Sequence, residues 1–368
     1  MTEERTISPS TVPVEVPPLD LPYLPRDPKH YRPEIALVGC GGIAPYHLRA
    51  YKAAGYNIVA LCDINETRAG ELAQEFFPEA KVYADYQDML KRDTIEVVDI
   101  ATHPEIRPAM VEKTLRAGKH VLSQKPFVMS LEQGRKLCDL ADELELKLAV
   151  NQNGRWAPHF SYIRAAVEQG VLGKVVAAHL AVHWDHNWTA GTAFDAVRHL
   201  ILYDFGIHWY DILGCFMLER MPQRVFASTT SAPGQRAKPS LLAQVSVEYE
   251  DAQASIAFDG STRFGARDST IVVGTEGTAE STGVDVDHQQ VTLHTAAGHS
   301  CPKLQGEWFT NGFHGTMAEL LCAIEEKRIP SNNGRDNLKG LALCYAVVAS
   351  AEDHEPKTPG DVDRLFGI

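Results

Sequence analysis

No apolar stretch of this 368-residue sequence reaches the ~20 residues that a membrane-spanning helix needs, and the longest candidate, Gly340–Ala351, stops at Glu352. Basic residues are in deficit: 35 Lys and Arg stand against 48 Asp and Glu, a net charge of −13. That balance excludes nucleic acid or an anionic membrane as the principal partner, because there is no basic excess to displace counterions. The seven cysteines include no C-x-x-C pair, which argues against a disulfide framework and for reduced thiols packed as small hydrophobes. The opening MTEERTISPS has neither a basic n-region nor an apolar h-region, so no secretory signal is visible. No internal repeat occurs. Together these absences predict a soluble, cytoplasmic protein with enough chain for two cores.

What is present is a change of texture along the chain. Residues 1–33 hold 8 of the 21 prolines and little periodicity, so they read as an extended arm or a mobile tail, the tail being the simpler reading. From Glu34 to Gln152, short apolar strands alternate with helical stretches: Ile35–Val38, Asn57–Cys62, Lys81–Tyr83, Ile95–Thr102, His120–Ser123 and Lys147–Gln152 are the predicted strands. Helices are expected over 43–54, 66–77, 104–117 and 130–144, the third stopping at Gly118 and the last opening on the Ser130/Gln133 capping box. This rhythm predicts an α/β fold, with an N-terminal Rossmann doubly wound parallel sheet. After residue 152 two-residue alternation takes over at 175–184, 224–230, 243–258, 270–274 and 290–294. An α+β domain with a large open, mainly antiparallel sheet is expected over 153–368, interrupted by one helix from about 196 to 217 and closed by helices near 312–326 and 336–352.

Between the first strand and helix stands Gly39-Cys40-Gly41-Gly42-Ile43-Ala44, a G-x-G-x-x-A loop. Gly39 permits the tight turn, Gly41 lets backbone approach a pyrophosphate, and Ala44 allows close helix–strand packing. A glycine motif alone is weak, but the second strand ends in Asp63, 19 residues after Ala44, where an acid would bind ribose hydroxyls. The predicted cofactor contacts are Gly39, Gly41, Gly42, Ile43, Ala44, Asp63 and Ile64, with Thr102, His103, Gln124 and Lys125 at the ends of later strands. The Asp63 carboxylate repels a 2′-phosphate and Arg68 is the one nearby cation, so NAD is expected rather than NADP.

Lys125, in Ser123-Gln124-Lys125-Pro126-Phe127, follows the fifth strand on the cofactor side. Asp204 and His208 lie four residues apart, on one face of the expected helix. Taken singly, a lysine before a turn proline and an Asp/His pair on a helix both read as structural. Together with VGCGGIA, AGKHVLSQKPF (117–127), Asn153-Gly154-Arg155-Trp156, DFGIHWYD (204–211), GTEGTAES (274–281) and the run beginning MAELLCAIEEKR at 317, they resemble the Gfo/Idh/MocA oxidoreductases, the glucose–fructose oxidoreductase and inositol dehydrogenase family. The resemblance spans roughly 34–360. It implies a Rossmann domain followed by a domain whose open sheet forms subunit contacts, with Lys125 as catalytic lysine and Asp204 and His208 completing the site. His208 would take the hydroxyl proton, Lys125 would stabilise the alkoxide, Asp204 would orient substrate or hold Lys125, and Asp211 would fix the imidazole tautomer. Three departures stand out. Gln124 replaces the family's glutamate before the lysine, removing a carboxylate expected to keep that lysine charged. Thr102-His103-Pro104 replaces Thr-Pro-Asn, with Arg107 near the usual histidine position. Arg198–Tyr203 replaces a glycine-rich approach to Asp204.

All five tryptophans lie beyond residue 155, where they serve either as stacking faces for sugar rings or as core. His183-Trp184-Asp185-His186 invites a metal, but three ligands there would need a bulge and the spacing matches no zinc signature, so none is expected. The expected substrate contacts are Arg155, Trp156, His183, Asp185 and Tyr203, with Trp188 as an alternative stacking ring. The sequence thus points to an NAD-dependent dehydrogenase oxidising a secondary hydroxyl of a sugar, glycoside or cyclitol. A second reading is a glycoside-cleaving or epimerising enzyme that retains NAD beneath the arm, and a third is a non-catalytic dinucleotide sensor. An open sheet face predicts a homodimer or homotetramer.

Overall fold

The computed structural model describes residues 14–365. In the first half, β1 (Glu34–Val38), α1 (Ala44–Ala54), β2 (Ile58–Cys62), α2 (Glu66–Phe76), β3 (Lys81–Tyr83), α3 (Tyr86–Leu90), β4 (Ile95–Ile100), α4 (Arg107–Arg116), β5 (His120–Gln124), α5 (Leu131–Glu143) and β6 (Leu148–Asn151) follow in order. The six strands form a parallel sheet in the order β3-β2-β1-β4-β5-β6, the doubly wound arrangement expected from the alternating pattern. β4 is buried at every position but Glu96, because helices cover both faces of a parallel sheet. Ser130 accepts from the Gln133 amide at 3.3 Å to cap α5, as the capping-box reading anticipated.

The second half contains α6 (Pro158–Glu168), β7 (Val175–His183), α7 (Ile207–Met217), β8 (Arg224–Thr230), β9 (Leu242–Glu248), β10 (Gln253–Asp259), β11 (Arg267–Gly274), β12 (Gly277–Gly283), β13 (Gln289–Thr295), β14 (Gly298–Ser300), α8 (Trp308–Glu325) and α9 (Gly334–Asp353). Its eight strands run β14-β13-β12-β11-β7-β10-β9-β8. All neighbours are antiparallel except β7 and β10, which pair in parallel. The run read as 243–258 is a hairpin turning at Glu250-Asp251, and β12 and β14 escaped the sequence pattern because Gly, Thr and Ser carry little apolar alternation.

Two regions depart from expectation. The single helix over 196–217 is broken: a short 3₁₀ turn over 193–196 precedes a π-helical segment at Ile201–Phe205, and only then does α7 begin. The Gly206 amide bonds back to the Ile201 carbonyl at 2.8 Å, five residues away, and a Cβ on Gly206 would meet carbonyl oxygens at 2.8 Å. The arm is not a free tail over its described part; residues 1–13 lie outside the described residues. The Val16 amide donates to the His299 carbonyl and the His299 amide to the Val14 carbonyl, which adds the arm to β14; Leu21 is buried, and Asp27 binds Tyr56 and His314. Proline stops helix formation but leaves an extended chain free to dock.

The two halves interlock. Phe313, Met317, Leu320 and Leu321 of α8 share a core with Ile35, Leu37, Leu48 and Tyr51, and the Val150 amide donates to the Asn332 carbonyl. The C-terminal helices therefore brace the nucleotide-type sheet from the other side of the cleft.

Candidate active site

The carboxyl ends of β1, β2, β4 and β5 meet at one edge of the parallel sheet, where a doubly wound fold binds its ligand. Gly39 has φ +94°, and a Cβ there would lie 2.8 Å from the Ala101 carbonyl carbon at the end of β4, so only glycine fits between the strands. Gly41 and Gly42 face open space, which lets backbone approach a bound group. Ala44 is buried at the start of α1, and the first turn of α1 carries neither a side-chain cap nor an acidic residue, leaving its positive dipole end for an anion. Asp63 accepts from the Cys40 amide at 2.7 Å and the Asn65 amide at 2.8 Å, which ties the acid to the glycine loop. Ile64 beside it is 96% exposed. Thr102 and exposed His103 follow β4 on the same edge. These features fit a dinucleotide pyrophosphate and ribose.

Lys125 leaves the end of β5 before a cis peptide to Pro126. Its Nζ donates to the Asp204 backbone carbonyl at 3.0 Å and lies 3.3 Å from Asp204 Oδ1. A regular helix would commit that carbonyl to the His208 amide; the π-helical segment leaves it to the lysine. Asp204 and His208 are thus brought to one site by an irregular turn rather than by the simple four-residue spacing.

Gln124 does not face the ammonium. Its Oε1 accepts from the Lys125 amide at 2.7 Å, which leaves its Nε2 to donate to His47 Nε2 at 3.0 Å. His47 must then carry its proton on Nδ1 and donate to Asp99 Oδ2 at 2.6 Å, where the Tyr51 hydroxyl also donates. All four side chains are buried, so this directed chain holds the Lys125 backbone from beneath the sheet. It also removes Gln124 from the expected cofactor contacts, since both ends of its amide are committed.

His208 opens α7. Its Nδ1 is enclosed without a partner, so Nε2 is the nitrogen left for a substrate. Burial, reinforced by the Lys125 ammonium, pushes its pKa well below the ordinary imidazole value. Trp308 meets the ring edge-on, with centroids 5.8 Å apart, and is itself fixed by an Nε1 bond to Asn153 Oδ1 at 3.0 Å. Phe205, next to Asp204, stacks near Trp188, which is 54% exposed and free to present a flat face.

Several expected contacts lie elsewhere. Arg155 is buried and donates to both oxygens of Asp211 at 2.7 and 2.6 Å, to Asp336 and to the Ser331 carbonyl, so it braces α7 against α9. Asp211 is therefore held by Arg155 and does not orient His208. Trp156 is buried against Gly315 of α8. Tyr203 is buried and donates to Met129 Sδ at 3.2 Å. His183 shares the outward sheet face with His179 and pairs with Asp259 at 2.7 Å, because Ala178, Leu180 and Val182 take the inward positions. Asp185 is exposed and accepts from Asn187. The apolar phase of β7 would have revealed the last two. No sequence signal singled out His47, Asp99 or Trp308, whose roles arise from long-range packing.

Comparison with known proteins places this geometry. The family profile described as "Oxidoreductase family, NAD-binding Rossmann fold" (GFO/IDH/MocA) matches residues 34–152, and that of the "GFO/IDH/MocA C-terminal domain" matches 160–280. D-apiose dehydrogenase of Paraburkholderia graminis is 26% identical over 86% of this chain and 87% of its own. Inositol 2-dehydrogenase of Rhizobium meliloti is 24% identical over 86% and 96%. The crystal structure of an oxidoreductase from Agrobacterium radiobacter in complex with NAD+, L-tartaric acid and magnesium superposes with a TM-score of 0.79 at 22% identity, covering 90% of this chain and 99% of that one.

Proposed function

This chain belongs to the Gfo/Idh/MocA oxidoreductase family, and on that premise we propose that it is an NAD-dependent dehydrogenase oxidising a secondary hydroxyl of a sugar, glycoside or cyclitol to a ketone. The observation that carries the reading is Lys125, held by Asp204 at the carboxyl edge of the parallel sheet with neutral His208 beside it. D-apiose and inositol dehydrogenases among the relatives support the substrate class. When bound, the nicotinamide accepts the hydride. His208 accepts the hydroxyl proton at Nε2 and Lys125 donates to the oxygen as it gains negative charge. Asp204 keeps the ammonium aimed, and Trp188 offers a ring face. Asp63, anchored at the ribose end, favours NAD over NADP.

The second reading, with NAD retained beneath the arm, draws no support from the described part of the arm. The described arm contacts Glu96, Tyr56 and α8 near the amino ends of the parallel strands, away from the carboxyl edge. The outward face of the eight-stranded sheet exposes Val176, Phe226 and Ile271, and two copies meeting there would form a homodimer, or the pairing unit of a homotetramer. A panel of aldoses, glucosides, anhydro sugars and inositols with NAD and NADP tests the activity by NADH formation and product identity. Turnover on none of them overturns it, and light scattering that gives a monomer overturns the assembly.

A further inference from the structure

Arg107 opens α4 and is buried to 2% exposure, yet among the described residues it forms no ion pair with a carboxylate. Its guanidinium donates only to backbone carbonyls. Nε and Nη2 reach the Thr102 oxygen, the first at 3.0 Å, and Nη1 reaches the Gln124 oxygen at 2.7 Å and the Pro126 oxygen. Thr102 ends the segment after β4, and Gln124 and Pro126 flank Lys125 after β5. One rigid cation therefore ties the loop after β4, where the sequence places cofactor contacts at Thr102 and His103, to the lysine that the proposed function sets at the reacting hydroxyl.

The surroundings make this more than packing. The carbonyls on either side of Lys125 both turn toward Arg107, and the Lys125 amide is taken by Gln124 Oε1. The lysine amide and the carbonyls on either side of it are thus held, while its side chain reaches Asp204. A planar guanidinium with five donors can serve three carbonyls at once, whereas a histidine at this position offers at most two donors and lysine a single point of attachment. Burial lowers the Arg107 pKa to about 10, still leaving it charged near neutrality.

We propose that Arg107 is a positioning residue that sets where Lys125 stands relative to the cofactor loop. This rests on the reading of Lys125 as catalytic. A misplacement of about 1 Å at a reacting group lowers turnover roughly 10²-fold, so Arg107→Met and Arg107→His should show a loss of that order in kcat.

The test uses the full-length protein in four variants: Arg107→His, Arg107→Lys, Arg107→Met and Lys125→Met. Kinetics are followed with the panel sugar that the wild type oxidises. A second readout, independent of substrate, is acetic anhydride labelling of Lys125 Nζ, followed across pH by mass spectrometry. Arg155→Lys serves as a control for loosening another buried arginine. The expected result is a changed Lys125 labelling profile and a lower kcat in Arg107→His and Arg107→Met, with Arg107→Lys intermediate and Arg155→Lys unchanged in labelling. If Arg107→Met does not fold, Arg107→Lys and Arg107→His carry the comparison. Wild-type labelling and kcat in folded Arg107 variants overturn the proposal, as does an equal labelling change in Arg155→Lys. Full activity in Lys125→Met instead overturns the reading of Lys125 itself.

Discussion

Lys125 Nζ touches Asp204 twice, at the backbone oxygen (3.0 Å) and at Oδ1 (3.3 Å). The two residues come from different halves of the chain, so this contact bridges the two halves. Removing the ammonium in Lys125→Met should lower kcat/KM by about 10²–10⁴ while leaving NAD affinity close to wild type. Asp204→Asn keeps the carbonyl contact and should cost less. Stopped-flow hydride transfer with separate NAD titration distinguishes the two effects; equal loss of NAD binding would contradict the assignment.

His208 must be neutral to accept a proton, and burial together with the Lys125 ammonium favours the neutral ring. The acid limb of log kcat/KM should therefore fall below the ordinary imidazole value of about 6.5, with activity retained above it. His208→Gln should remove that limb and lower turnover by about 10²–10⁴. A limb that survives in the variant would move the base to another group.

The proposed preference for NAD rests on the Asp63 charge, while the hydrogen bonds of Asp63 hold Cys40 of the glycine loop and Asn65. Asp63→Asn preserves an acceptor for the loop and removes the repulsion of a 2′-phosphate. The ratio of kcat/KM for NAD to that for NADP should drop by about tenfold or more, since one charge contact at close range amounts to about 1–2 kcal/mol. An unchanged ratio would show that Asp63 does not face the ribose.

Asp268 is buried on the inner face of β11 with both carboxyl oxygens unpartnered, and burial with the nearby Asp285 raises its pKa to about 7. Its unfolded value is about 3.9, so the folded state binds the extra proton between those two pH values. Stability from this group is present at low pH and is lost as pH rises from about 4 through about 7. Asp268→Asn should raise the melting temperature at pH 8 and change it little near pH 4. Thermal unfolding of both proteins across that range checks the sign.

The fingerprint was legible because each element announced itself locally. Gly39 needs a positive φ, Ala44 needs to be small, and Asp63 ends a strand. Lys125, Asp204 and His208, the proposed catalytic set, were legible as residue types in motifs, but their geometry was not: Asp204 reaches Lys125 through a π-helical turn that helix periodicity does not encode. Arg155 and Trp156 stood in a motif beside the cleft and proved to brace helices instead. His183 was expected to contact substrate, and only the apolar phase of β7 tells that it faces outward.

By itself, the amino-acid order determined what short-range physics controls: the alternation of strand and helix, the glycine turn with its acid, and the deficit of basic charge. Cofactor attraction must accordingly come from backbone amides and a helix dipole rather than from net charge. Tertiary structure decided everything that depends on residues distant in sequence. It turned Gln124 toward His47 rather than the ammonium, gave Lys125 its carboxylate from Asp204, docked the proline-rich arm, and set Arg107 between two loops. The reason is that a buried polar group takes whichever partner folding brings within about 3 Å, and that partner is chosen by the packing of the whole core.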